Sequence, residues 1–119
     1  MLARQLLLEP ADVDVVDAVE RVGGLQAQEP ASPYIGLWAR LSGFDAADLT
    51  AAIADRRLVK STLMRATLHL VSARDFRALW PAIVPMLENQ RRQDRLQPPP
   101  AARMAALRER VATYAAEPR

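Results

Sequence analysis

The sequence predicts a mainly α-helical chain: three helices, a two-stranded β-hairpin, then further helices. Three observations carry this. Apolar residues recur at helical spacing in successive segments between residues 15 and 53. The period then changes to that of strands over residues 58–71, with room only for a tight turn between them. Beyond residue 72 the helical period returns. Half of the 119 residues are apolar and a quarter are charged, which suits a globular chain and excludes wholesale disorder. Aromatic residues make up only 5%, so the core must be built mostly from Leu, Val, Ile and Ala.

Each element has its own signals. Residues 2–9 read as helical until Pro10 stops them. Asp14 fits an N-cap, with Asp17 in the first turn, where a carboxylate is favoured. Val15, Val16, Val19 and Val22 give that helix its spacing, and Gly23-Gly24 ends it. Glu29 precedes Pro30 and is pushed out of the helical region. Ser32-Pro33 starts the second helix, with Ser as cap and Pro at the first position. Tyr34, Leu37, Trp38 and Leu41 form its apolar stripe, which places Trp38 in the core, and Gly43 ends it. Asp45 and Asp48 open the third helix, which carries Leu49, Ala52 and Ile53 inward and Arg56 and Arg57 in its last turn.

Residues 58–64 and 67–71 read as the two strands, joined at Arg65-Ala66. Thr67, His69 and Val71 then share one strand face, with Leu68 and Leu70 on the other. Ser72 and Asp75 resemble a capping box for a fourth helix. Its stripe is Phe76, Leu79, Trp80, Ile83 and Leu87, with Trp80 in the core and a break or kink at Pro81 and Pro85. Gln97-Pro98-Pro99-Pro100 reads as a stiff linker. Residues 101–116 read as a last amphipathic helix through Met104, Leu107, Val111 and Tyr114. The domain division is a winged-helix unit over 1–80, a helical extension over 81–97, a Pro linker at 98–100, and a helix over 101–119 that opens a truncated second unit.

Several classes fall away. Without cysteine there is no disulfide scaffold, thiol nucleophile or Cys-ligated metal, and His69 alone cannot make a His-rich site. No apolar run approaches the roughly 18 residues of a spanning helix. The N-terminal apolar run is interrupted by Glu9-Pro10 and lacks the form of a secretory signal. The reading is a cytoplasmic protein with no membrane and no metal. Charge is uneven. Residues 1–60 hold six basic and nine acidic residues, and residues 61–119 hold ten and five. A basic partner surface belongs to the second half. Lys60 is the only lysine, and Arg suits phosphate forks, although a GC-rich genome gives the same bias.

Three helices followed by a hairpin is the winged helix-turn-helix arrangement, in which one helix can enter a DNA groove. The third helix argues against simple groove reading, because Asp45, Asp48 and Asp55 lie along it.

Ordered strings make the sequence more specific. They include Ala3-Arg4-Gln5-Leu6-Leu7-Leu8, Gly24-Leu25-Gln26-Ala27-Gln28-Glu29-Pro30, Ser32-Pro33-Tyr34 and Leu37-Trp38-Ala39-Arg40-Leu41. Later come Ala54-Asp55-Arg56-Arg57-Leu58-Val59 and Leu63-Met64-Arg65-Ala66-Thr67-Leu68-His69-Leu70-Val71. Over about residues 3–80 the chain resembles the bacterial winged-helix family that contains the AlkZ-like DNA glycosylases. The resemblance implies tandem winged-helix units with a β-rich C-terminal part, of which this chain would be an N-terminal fragment. It implies hydrolysis of N-glycosidic bonds in double-stranded DNA that is alkylated or crosslinked. No cofactor is implied, since water is the nucleophile.

The resemblance also assigns residues. Gln26 and Gln28 match the family's catalytic Gln-x-Gln pair. A glutamine cannot take a proton, but its carbonyl orients water and its NH₂ donates. On an extended segment both would point the same way. Two loop amides capping the next helix are the alternative. The hairpin of the family reads Arg-Gly-Thr-Leu-His, and here Ala66 replaces the glycine. Arg65, Thr67 and His69 are assigned to DNA contact, against a solvated Arg65 and a His69 hydrogen-bonded within the domain. Arg91, Arg92 and Arg95 are assigned to the phosphate backbone, against a solvated helix end. A non-catalytic DNA-binding module or transcriptional regulator, and an inactive remnant, are the alternative functions.

Overall fold

A computed structural model describes residues 2–93 and 100–116. It divides into two compact units, residues 1–87 and 88–119.

In the first unit, helix α1 spans Val15–Val22. Asp14 caps it as the sequence predicts: its Oδ1 accepts from the Val16 N–H at 2.7 Å and the Asp17 N–H at 3.0 Å. Val15, Ala18 and Val19 are its buried face. Gly23 closes the helix at φ +78°, and the N–H groups of Gly23 and Gly24 donate back to Glu20 and Val19. Gly24 is required for a second reason. A Cβ there would lie 2.8 Å from Val71 Cγ1 and 3.3 Å from the Leu70 carbonyl, at φ +103°.

This close approach delivers the chain into strand β1, Leu25–Gln26. Helices α2 (Ser32–Trp38) and α3 (Ala46–Ala54) follow. Strands β2 (Leu58–Thr62) and β3 (Leu68–Ser72) complete an antiparallel sheet of order β1-β3-β2. The sheet therefore has three strands, one more than the predicted hairpin. A two-residue strand is too short to register as a period. The order α1-β1-α2-α3-β2-β3 with β3 central is the winged-helix arrangement. Leu37, Leu41, Leu49, Ala52, Leu58 and Leu70 join the α1 valines and Leu25 in one core.

Helix α3 begins at Asp45, whose carboxylate accepts from the Ala47 N–H at 2.8 Å. It ends with Arg56 at φ +59°, and the Arg56 and Arg57 N–H groups donate to Ile53 and Ala52. This is the same terminating motif as at Gly23, with an arginine in the left-handed position. Helix α4, Ala73–Gln93, begins at the predicted capping serine: the Asp75 N–H donates to Ser72 Oγ at 3.1 Å. Arg74 binds Glu20 of α1 at 2.7 Å. In the second unit, α5 spans Ala101–Ala116, the predicted residues, and buries none of its side chains.

Several expectations need correction. Only Leu2–Gln5 of the first segment form a helical turn, a 3-10 one, and Leu6 leaves it at φ +54°. Ser32 lies inside α2, whose N-cap is Ala31 without a side-chain bond. That helix stops at Trp38, well before Gly43. Leu41 is buried by another route, a short parallel bridge between Ala11 and Leu41. Trp38 is 71% exposed because its neighbour Leu37 takes the inward position. Adjacent residues on a helix point about 100° apart, and Trp38 stands off the stripe that Pro33 and Leu37 form. Ile53 is turned out beside Ala52 for the same reason. Trp80 is also exposed, and its ring packs at 5.1 Å on Phe76 one turn earlier. The backbone stays helical through Pro81 and Pro85 instead of breaking. Both prolines are exposed, so carbonyls left without a donor face water. Arg95, residues 97–99 of the linker and residues 117–119 lie outside the described residues.

Candidate functional site

The predicted glutamine pair spans the end of strand β1: Gln26 is its last residue, and Gln28 lies in the bend that follows. Leu25 and Ala27 are buried, whereas Gln26 and Gln28 are exposed. That alternation is the signature of a strand with one face in the core, and it leaves both glutamines exposed. The Ala27 N–H donates to the Leu68 carbonyl at 2.8 Å. One residue further the Gln28 side chain takes over: its Oε1 accepts from the Leu68 N–H at 3.2 Å. Gln28 thereby prolongs the ladder by one bond and is itself fixed in place. Its carbonyl oxygen keeps a second lone pair, and its NH₂ keeps both donors. Gln26 makes no side-chain hydrogen bond among the described residues, so both ends of its amide are available.

The register places His69 directly opposite Gln26, and Ser61 opposite His69. Facing residues in an antiparallel pair have Cβ atoms about 5 Å apart. Gln26, His69 and Ser61 therefore form a polar row across the three strands. His69 Nδ1 lies 2.9 Å from the Thr67 carbonyl, which only accepts, so Nδ1 carries a proton. In the neutral ring Nε2 is then the acceptor. Ser61 escapes sequence reasoning, since only the strand register reveals it.

The hairpin tip is tight. Arg65 and Ala66 both sit at positive φ, +52° and +57°. The Leu63 N–H donates to the Thr67 carbonyl at 3.0 Å, closing the turn. Thr67 spends its hydroxyl inside the turn, donating to Met64 O at 3.1 Å. Arg65 is exposed and forms no ion pair among the described residues. The structure thus brings Gln26, Gln28 and His69 together, with Thr67 as a support and Arg65 at the tip of the same hairpin. Arg91 and Arg92 belong to the second unit, on the last turns of α4, with Arg92 exposed. Between its caps α3 has Asp48 as its one charged residue, a surface poorly suited to phosphates. Among the described residues no group of three or more His, Asp or Glu is placed to hold a metal ion. No described helix is long and apolar enough to cross a membrane.

Two of the comparisons with known proteins point to one relationship. A comparison with curated proteins finds no match. Among solved structures, the Streptomyces sahachiroi DNA glycosylase AlkZ is similar, with a TM-score of 0.55 and 31% sequence identity. The likeness covers 60% of this chain and 19% of that enzyme, so the chain corresponds to a small part of that protein's length. The family model for AlkZ-like DNA glycosylases matches residues 19–119. That match takes in the exposed glutamine pair, the hairpin and the helices that follow, and on this ground the chain belongs to the AlkZ-like DNA glycosylase family.

Proposed function

We propose that this chain is a winged-helix unit that binds duplex DNA and carries the reacting groups for excision of alkylated bases. The observation that carries this reading is the joint exposure of Gln26 and Gln28 beside β3, with Gln26 opposite His69 and Gln28 held by the Leu68 N–H. A purine alkylated at a ring nitrogen is cationic and departs with the electron pair of its glycosidic bond. Water then adds to the sugar C1′ and releases a proton. The protein has to place that water and stabilise a positive sugar, and neutral amide oxygens do both. Gln26, free at both ends, suits the water. Gln28, pinned through Leu68, presents its remaining lone pair and its NH₂ at a fixed position. Arg65 supplies a phosphate contact at the hairpin tip. Bulky adducts and interstrand crosslinks fit an open surface of this kind better than a closed pocket that admits one flipped base.

The test is base release from duplex DNA carrying an N7-alkylguanine. The parent chain is compared with its Gln26→Ala/Gln28→Ala variant. Release that disappears in the variant, with DNA affinity nearly unchanged, supports the assignment. Equal release in both removes it. A second reading, a DNA-holding module without catalysis, draws on the structural bond of Gln28 to Leu68. It predicts duplex binding with no base release from either protein.

A further inference from the structure

Cations in the first compact unit are not evenly spent. Nine basic residues fall within residues 1–87. Arg40 gives its guanidinium to the carbonyls of Gln5 and Gly36. Arg74 is bound to Glu20 and Asp75, and Arg77 donates to the Ala73 carbonyl. Arg21 shares its surface depression with Asp17 and Glu20. Apart from Arg4, the rest lie within ten residues of one another: Arg56, Arg57, Lys60 and Arg65, all exposed. Arg57 has only a loose contact with Asp55 at 4.0 Å, and the other three form no ion pair among the described residues.

Their placement follows from the fold. The left-handed turn at Arg56 ends the acidic helix α3 and starts β2 within two residues. Strand β2 is an edge of the sheet, because the order is β1-β3-β2. Lys60 lies in the middle of that edge, and Arg65 at its far end on the hairpin tip. A five-residue strand spans about 17 Å. An edge of that length is long enough to meet several successive phosphates of one DNA strand.

We infer that the edge formed by Arg56, Arg57 and Lys60, continued by Arg65, is the phosphate-binding track of this unit. It takes the sugar–phosphate backbone of duplex DNA in place of α3. The inference rests on the DNA-binding reading above and adds the surface that does the holding. Unpaired cations on an edge strand also keep that edge from pairing with a second sheet, yet a single lysine suffices for that purpose. Four cations go beyond it.

The test compares duplex affinity across about 50 to 200 mM salt for three proteins. They are the parent, an Arg56→Asn/Arg57→Gln/Lys60→Gln variant, and an Arg103→Gln/Arg108→Gln/Arg110→Gln variant. The last removes the same charge from exposed positions on α5. Asn tolerates the left-handed position of Arg56. The edge variant is expected to lose about ten- to a hundredfold in affinity at low salt, with a log–log salt slope shallower by about 2 to 3. The α5 variant keeps most of the parent slope. An edge variant with the parent slope, or equal losses in both variants, overturns the inference. If the edge variant melts early, Lys60→Gln alone serves, with a slope change of about 1. A parent that binds no duplex overturns this inference together with the DNA-binding reading. Base release lost only in the Gln26→Ala/Gln28→Ala variant, with no effect of the edge substitutions on binding, leaves the proposed function standing and removes the track.

Discussion

Helices α1 and α5 were equally legible as helices and have opposite fates. The first has eight residues and sends Val15, Ala18 and Val19 into the core. The second has sixteen and buries none, although Leu107, Val111 and Tyr114 recur along it at helical spacing. Periodicity states that a helix has an apolar face. Burial needs a partner for that face, and the partner is a matter of the fold. In the first unit two further helices and the sheet supply it.

Substitutions sharpen this contrast. Leu37→Ala empties a fully buried position of the first unit and is expected to cost about 3 kcal/mol. Leu107→Ala, on α5, is expected to stay within about 0.5 kcal/mol. Urea unfolding of both variants checks the pair, and a comparable loss at Leu107 would break the comparison. Gly24→Ala is expected to cost about 2 kcal/mol, since its Cβ would meet Val71 and the Leu70 backbone at positive φ. The same variant should lower any base release, because that contact seats β1. Ala66→Gly is the smallest effect and has the opposite sign. Ala66 sits at φ +57°, so glycine there is expected to raise stability by about 0.5 to 1 kcal/mol, read as a higher melting temperature.

The parts of the fold legible in the sequence are those with a local cause. Asp14, Gly23, Asp45 and Ser72 each end or begin an element through a hydrogen bond within three residues or a single φ value. The helix α2 stripe misleads because the helix is only seven residues long. Leu37 settles its orientation, and Trp38 is left outside. Strand β1 could not be read, for it exists only through its pairing with β3. The candidate site divides the same way. The glutamines and the hairpin residues could be named from their strings. That Gln26 faces His69 and Ser61, and that Gln28 holds the Leu68 N–H, follows from register alone. The edge cations were legible as residues but not as a surface. Arg56 and Arg57 fit a helix end in sequence, and the left-handed turn moves them to the start of β2.

The bond between Gln28 and Leu68 joins positions forty residues apart in the chain. The contact closes a loop that contains α2, α3 and β2, and its closure entropy is met by the whole domain. The direction of the Gln28 amide thus depends on the pairing of the two-residue strand β1 with β3. A local opening that parts β1 from β3 is expected to release the Gln28 amide from Leu68 while leaving both glutamines chemically intact.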